Sequence, residues 1–328
     1  MIVFVQIPCL NEEKTLPLVL AGIPKTLPGV DAVEVLIIDD GSSDKTVAVA
    51  KKHGVKHFVR HKSRMGLARS FRDGVAYALS HGADIVVNTD GDNQYPQERI
   101  GDLIQPIIDG EADIVIGDRQ TQKIAHFSPF KKRMQRFGTK VVNRVATSNL
   151  PDAASGFRAY SRTALYRLNV VTQFSYAMET IVQAGNKNLT FASVPIDTNP
   201  KTRESRLFRN NYHHMVRSGE AIIRSYFMFK PFAFFGTLGC VLLVLGAIPF
   251  IRYGIFQLVV KDDTGHLQSL ILGVTLVTAS LLSFALGVIA DLLRINRILI
   301  EDILERMKNV EYEHSREKMS RDKKAKRK

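Results

Sequence analysis

Two stretches of this chain, residues 231–251 and 267–290, contain no charged residue at all. As a helix rising ~1.5 Å per residue, the first reaches about 32 Å, enough for a hydrocarbon core of ~30 Å. One such segment would also suit the buried helix of a globular protein; two in succession point to a pair of transmembrane helices. The charge around them is lopsided. Residues 201–230 carry 7 Lys/Arg against 2 Asp/Glu, residues 291–328 carry 12 against 8, and the loop 252–266 balances at zero. Basic residues at the outer ends of the pair place both ends on the cytoplasmic side and the loop outside. The formal net charge of +13 therefore reads as attraction to a membrane surface. With no zinc-finger spacing and no aromatic-basic signature, no nucleic-acid partner is expected.

The first 200 residues have a different grammar. Short strand candidates, mostly apolar, at 2–7, 33–38, 56–60, 85–88 and 114–116 alternate with stretches of helical spacing at 16–27, 45–53, 67–80 and 100–109. This is the pattern of an α/β fold with an open, mostly parallel, Rossmann-like sheet, which binds ligands beyond the carboxyl ends of its strands. The densest chemistry sits at those ends. Pro8-Cys9-Leu10-Asn11-Glu12 follows the first run, Asp39-Asp40-Gly41-Ser42-Ser43-Asp44 the second, and Thr89-Asp90-Gly91-Asp92-Asn93-Gln94 the fourth. Paired carboxylates one residue apart are costly unless a cation or hydrogen-bond donors offset them. A hard divalent ion with oxygen ligands, Mg²⁺ or Mn²⁺, suits such a pair and keeps positions open for substrate phosphates. A basic loop, Arg60 to Ala68, then enters a helix and suits a phosphate.

Only two cysteines, Cys9 and Cys240, occur, so neither a disulfide framework nor a zinc site is expected, and a reducing environment is the default. The chain opens directly in a strand pattern, and no signal peptide is expected.

The motifs together resemble family-2 glycosyltransferases of the GT-A fold, in the polyprenyl-phosphate group that includes dolichyl-phosphate mannose synthase. The resemblance rests on Pro8, Asn11-Glu12, Asp39 to Asp44, Arg64-Met65-Gly66, Asp90 to Gln94, Gly117-Asp118-Arg119 and Ser155-Gly156-Phe157-Arg158, in that order. It implies a GDP- or UDP-linked sugar donor whose base and ribose are held by Pro8, Asn11, Glu12 and one of Asp39/Asp40, with help from Arg64. It implies that Asp90, Asp92 and Gln94 hold the metal on the diphosphate, beside Gly91. The family usually carries an aromatic where Leu10 stands, so base stacking is weaker here or supplied elsewhere.

Arginine's planar fork suits phosphate oxygens, and Arg119, Ser155, Arg158, Arg203, Ser205 and Arg206 are candidates for gripping an acceptor phosphate. Asp92, Asp152 and Arg158 are the candidate catalytic residues, Asp152 as a base. A phosphate monoester, with a second pKa near ~6, is already a nucleophile at neutral pH, so positioning alone can suffice.

The expected organisation is a GT-A domain over 1–200, an amphipathic interfacial region over 201–230 and two transmembrane helices over 231–290. An amphipathic helix with a basic cytoplasmic tail follows over 291–328. The expected activity is inverting transfer of a sugar from a nucleotide-sugar to dolichyl or undecaprenyl phosphate, by a multi-pass membrane protein whose catalytic domain is cytoplasmic. A homo-oligomer is compatible with this. A processive polysaccharide synthase is the second reading, but those carry a Gln-x-x-Arg-Trp motif, and this chain has no Trp. A non-catalytic membrane adaptor is the third, and it would not need the acidic pairs to be kept.

Overall fold

The computed structural model describes residues 1–121, 129–170, 176–200, 230–257 and 267–325. The chain divides into two units, Met1–Ile222 with Glu301–Lys328, and Ile223–Ile300.

The first unit is built on a seven-stranded sheet. Its strands are β1 (Ile2–Cys9), β2 (Ala32–Asp39), β3 (His57–Arg60), β4 (Ile85–Asn88), β5 (Ile114–Asp118), β6 (Arg158–Ser161) and β7 (Phe191–Pro195). Their order is β3-β2-β1-β4-β6-β5-β7. β6 runs antiparallel to β4 and β5, and every other pairing is parallel. Val3, Val5, Ile7, Ile37, Ile85 and Val87 are buried in the core, which is why these strands read as unbroken apolar runs.

The helices α1 (Leu16–Gly22), α2 (Thr46–Lys52), α3 (Leu67–Ser80) and α4 (Ile100–Ile108) fall where the spacing predicts them. α1 is shorter than the pattern because Ile23 precedes Pro24 and is extended at ψ 124°, as the residue before a proline must tend to be. α3 lies very close on the sheet. A Cβ on Gly74 would sit 2.5 Å from Gln6 Oε1, so a glycine is needed at that contact. Beyond β5 come α5 (Pro129–Ala146), α6 (Arg162–Arg167) and α7 (Tyr176–Asn186). Pro129 is the first residue of α5, where a missing N–H costs nothing. Sequence reading missed β6 and β7: β6 is four residues opening on an arginine, and β7 is only partly buried.

The second unit contains α8 (Pro231–Ile255) and the first part of α9 (Leu267–Ala325). Both helices are long and apolar enough to cross a membrane, with mean hydropathy of 2.3 and 2.2 over their most apolar windows. They pack antiparallel through small residues. Ser280 Oγ donates to Gly239 O at 2.7 Å, and Ser283 Oγ to Phe235 O at 2.8 Å. A Cβ on Gly246 would lie 3.0 Å from the backbone nitrogen of Val277. Small residues and side-chain hydrogen bonds are the means by which helices associate where apolar burial gives no drive. α9 does not break at residue 290. It continues as helix to Ala325, past Arg321 where the basic run begins.

Candidate active site

The carboxyl ends of β1, β2 and β4 meet as the parallel register requires, Cys9 opposite Asp39 and Gln6 opposite Asn88. The loops beyond them are stitched together by side chains. Asn11, in the left-handed region at φ 58°, receives Ser43 N on Oδ1 at 2.8 Å and donates its own N–H to Ser42 Oγ at 3.0 Å. Glu12 N donates to Thr46 Oγ1 at 2.8 Å. Asn11, expected at the nucleotide, therefore ties the β1 and β2 loops together.

Asp39 and Asp40 are both buried but do different things. Asp40 accepts from Met65 N at 2.7 Å and His61 Nδ1 at 2.8 Å on one oxygen, and from Gly66 N at 2.9 Å on the other. His61 reaches on to Asp73 at 3.2 Å. These bonds fold the basic loop down over Gly41, whose φ is +82° and whose Cβ would lie 2.9 Å from the carbonyl carbon of Ser63. Glycine is required there twice, for conformation and for space. Arg64, carried on this loop, is exposed. Asp39 accepts from Ser42 N at 2.9 Å and meets Arg60 at 3.5 Å, which leaves it the less committed of the two.

Asp90 and Asp92 follow β4. Thr15 Oγ1 donates to Gly91 O at 2.7 Å and also meets Glu12 Oε2 at 2.8 Å. A Cβ on Gly91 would lie 3.2 Å from Glu12 Cγ, so any side chain there would push on Glu12. Asp92 accepts from Gln94 twice, from its backbone N at 3.2 Å and its Nε2 at 2.7 Å. Gln94, expected as a metal ligand, thus turns its amide N–H toward Asp92 and orients that carboxylate. Asn199, which the sequence did not single out, latches the same turn. It gives its N–H to Gln94 O at 2.9 Å and its amide to Asn93 O and Tyr95 O at 3.1 and 3.2 Å. Among the described residues no group of three His, Cys, Asp or Glu side chains gathers around a point. A pair of carboxylates at a strand end is a donor set that suits a hard cation completed by substrate phosphates.

Behind Asp90 lies the Ser155-Gly156-Phe157-Arg158 motif. A Cβ on Gly156 would lie 3.2 Å from Asp90 Oδ2. Gly156 N donates to Tyr95 Oη at 2.9 Å, and Asn88 Nδ2 to Gly156 O at 3.0 Å. Phe157 stacks on Tyr95 with ring centroids 5.2 Å apart. Burial pushes the Tyr95 phenol up to about 12, so it stays a neutral hydroxyl beside the loop.

Arg158 requires a correction. Expected at the acceptor phosphate, it is 0% exposed. Nε donates to Ser155 O at 2.7 Å, and Nη2 to Ala153 O at 2.9 Å. Nη1 donates to Ala177 O at 2.8 Å and Thr180 Oγ1 at 3.1 Å. The guanidinium is used up in tying the 153–157 loop to α7 and does not reach a ligand. Ser155 is likewise fully buried, its hydroxyl without a hydrogen-bond partner in the described structure.

Asp152, expected as a base, is engaged by the protein itself. It holds Arg119 in a two-pronged pair at 2.7 and 3.0 Å. Burial alone would raise its pKa, but the Arg119 charge and hydrogen bonds outweigh this and hold it below the usual carboxylate value. Such a group is a weak proton acceptor. Arg119 in turn is half-buried, its side chain 16% exposed. Desolvation disfavours its charge, but Asp152 beside it keeps it firmly protonated. Arg203, Ser205 and Arg206, like the interfacial region before Lys230, lie outside the described residues.

These loops match known proteins. Residues 4–168 match the family model described as glycosyl transferase family 2. The chain is 30% identical to a dolichyl-phosphate hexose transferase of Haloferax volcanii, over 60% of this chain and 82% of that protein. It is 26% identical to a UDP-N-acetylglucosamine–dolichyl-phosphate N-acetylglucosaminyltransferase of Methanococcus voltae, over 60% and 85%. Among solved structures, glucosyl-3-phosphoglycerate synthase from Mycobacterium tuberculosis, with Mn²⁺, UDP and phosphoglyceric acid, superposes with a TM-score of 0.54 at 20% identity. That match covers 69% of this chain and 77% of that one, and it shows a shared fold. A mostly parallel sheet, acidic pairs at its carboxyl edge and a family match over half the chain lead to one conclusion: the protein is a GT-A glycosyltransferase and belongs to glycosyl transferase family 2.

Proposed function

We propose that this enzyme moves one sugar from a nucleotide-sugar to a polyprenyl phosphate, working at the cytoplasmic leaflet of the membrane that holds α8 and α9. The observation that carries the reading is the joining, in one chain, of the Asp90/Asp92 edge of a GT-A sheet to two helices apolar enough to span a bilayer. The names of the two relatives, both dolichyl-phosphate sugar transferases, support the acceptor class.

In this reading Pro8, Glu12 and Asp39 line the nucleoside side of the cleft, and Arg64 closes over it from the loop that Asp40 pins. Asp90 and Asp92 would hold a divalent ion, Mg²⁺ or Mn²⁺, at the donor diphosphate, and Gln94 and Asn199 keep Asp92 in place. A bound ion supplies charge neutralisation for the departing nucleoside diphosphate. The acceptor phosphate oxygen attacks the anomeric carbon on the face opposite that leaving group. The new C–O bond forms as the bond to the diphosphate breaks, inverting the centre. No base is required, because the phosphate is largely dianionic above its second pKa of ~6. Arg119, firmly cationic and near Asp90, is the described residue best suited to draw the acceptor phosphate in.

The test is direct. Purified protein in bilayers is given a panel of GDP- and UDP-sugars with dolichyl or undecaprenyl phosphate, and release of nucleoside diphosphate is followed. Release that depends on the lipid phosphate supports the reading. Release only with a growing glycan, or none with any pair, refutes it.

A further inference from the structure

The part of α9 that belongs to the first unit is held to that unit by four side chains at 301, 305, 308 and 312. Their spacing of four, three and four residues puts them on one helix face. Glu301 pairs with Lys187, just past the end of α7, at 2.6 Å. Glu305 pairs with Arg167, in the last turn of α6, at 3.2 Å. Lys308 Nζ donates to Asn169 Oδ1 at 2.8 Å, to Leu168 O at 3.1 Å and to Tyr166 O at 3.3 Å. It thereby satisfies carbonyls left open where α6 ends. Tyr312 is 2% exposed. Its hydroxyl receives Arg162 Nη1 at 2.6 Å and donates to Asp84 Oδ1 at 3.3 Å, and its ring lies under the Arg162 guanidinium at 4.5 Å.

The opposite face of the same turns carries Leu299, Ile303, Met307 and Val310, all exposed. The helix is therefore attached by its polar side, through matched charges and shaped donors, and not by apolar stickiness. The receiving surface sits at the end of the sheet away from the carboxylates: Asp84 precedes β4 and Asp90 follows it. A docked segment there does not compete with donor or acceptor.

We propose that Glu301–Tyr312 is a built-in docking segment whose partner is the α6–α7 end of the transferase domain. It gives that domain a second attachment to the membrane helices besides the covalent one through residues 201–230. Resting on the acceptor reading above, its task is orientation. A domain held at two points presents its cleft to a bilayer-borne phosphate at far higher effective concentration than one held at a single point.

The experiment uses the full chain in lipid nanodiscs. Amide hydrogen exchange over 301–314 is measured for wild type, Tyr312→Ala, Glu301→Lys, and the swap Glu301→Lys with Lys187→Glu. Turnover is read with a long polyprenyl phosphate in the bilayer and with a short, water-soluble prenyl phosphate. Both single variants should lose protection over 301–314 and lose about tenfold in turnover of the bilayer acceptor, with the soluble acceptor nearly unaffected. The swap should recover both. Rapid exchange over 301–314 in the wild type would overturn the docking. Equal loss with both acceptors, or unchanged turnover in variants whose segment has been released, would overturn the orienting role. A wild type that uses no prenyl phosphate at all would sink the acceptor reading while the exchange data still judge the docking.

Discussion

Replacing Arg158 with lysine separates a phosphate-binding arginine from a structural one. The guanidinium makes four hydrogen bonds from three nitrogens, to Ser155 O, Ala153 O, Ala177 O and Thr180 Oγ1. A lysine keeps the charge, but its single nitrogen cannot span acceptors on both the 153–157 loop and α7. At least two carbonyls lose their donors in a site that is 0% exposed. At roughly 1–3 kcal/mol for each of two unsatisfied buried groups, the variant loses about 2–6 kcal/mol. For a domain of this size that lowers the thermal midpoint by about 4–24 °C. The assay is thermal unfolding of the detergent-solubilised protein, paired with KM values for both substrates below the variant's own transition. Because the loop behind Asp90 loosens, donor and acceptor kinetics should both decline. A midpoint within about 2 °C of wild type, together with weakening confined to the lipid phosphate, would refute the structural role and return Arg158 to the acceptor site.

Asp92→Ala should abolish turnover and leave the thermal midpoint within about 1–2 °C, since Asp92 is a partly exposed loop residue; persistence of activity in that variant or in chelator would remove the metal from the reading. Gly41→Ala should cost roughly 1–3 kcal/mol from left-handed strain and raise donor KM about tenfold as the Arg64 loop is displaced, which donor titration measures. Asp152, its pKa held below the ordinary value by Arg119, contributes stability that is fully present above its unfolded pKa of ~3.9 and is lost only as pH falls through the lower folded value. The acid limb of kcat should therefore sit near ~6, set by the acceptor phosphate, and stay there in Asp152→Asn; a shifted limb would reinstate Asp152 as a base. A tag after Lys328 should be cytosolic and a reporter near Thr264 external, and impermeant labelling on the reverse sides would overturn the topology.

Strands β1, β2 and β4 were legible because most of β1, the second half of β2 and all of β4 are buried and rich in apolar, largely β-branched residues. β6 was not, since it opens on a buried arginine whose charge reads as surface. The same residue misled the site reading for the same reason. Sequence shows that a guanidinium is present but not which carbonyls fold around it, and here they come both from the loop just before it and from α7, some twenty residues on. The acidic pairs were legible as a site because they end strands. What each carboxylate does was not, because Asp40's partners Met65 N and Gly66 N are backbone groups with no sequence signature. The helical docking face was missed because Leu292, Leu299, Ile303 and Met307 advertise an apolar side, while attachment runs through Glu301, Glu305, Lys308 and Tyr312.

The carboxylates differ in what the protein sets against them. Asp40 takes three donors and Asp152 a bidentate arginine with a backbone N–H; both are spent on holding loops. Asp92 is held by a neutral amide, which fixes its direction without cancelling its charge. Asp90 is faced by Gly156, a residue with no side chain to interpose. A buried carboxylate met by a two-pronged cation has little left to offer a ligand, which sets Asp152 apart from the acidic pair that ends β4. Arg119, neutralised in part by Asp152, marks the adjoining ground where an incoming phosphate can approach without meeting the same repulsion.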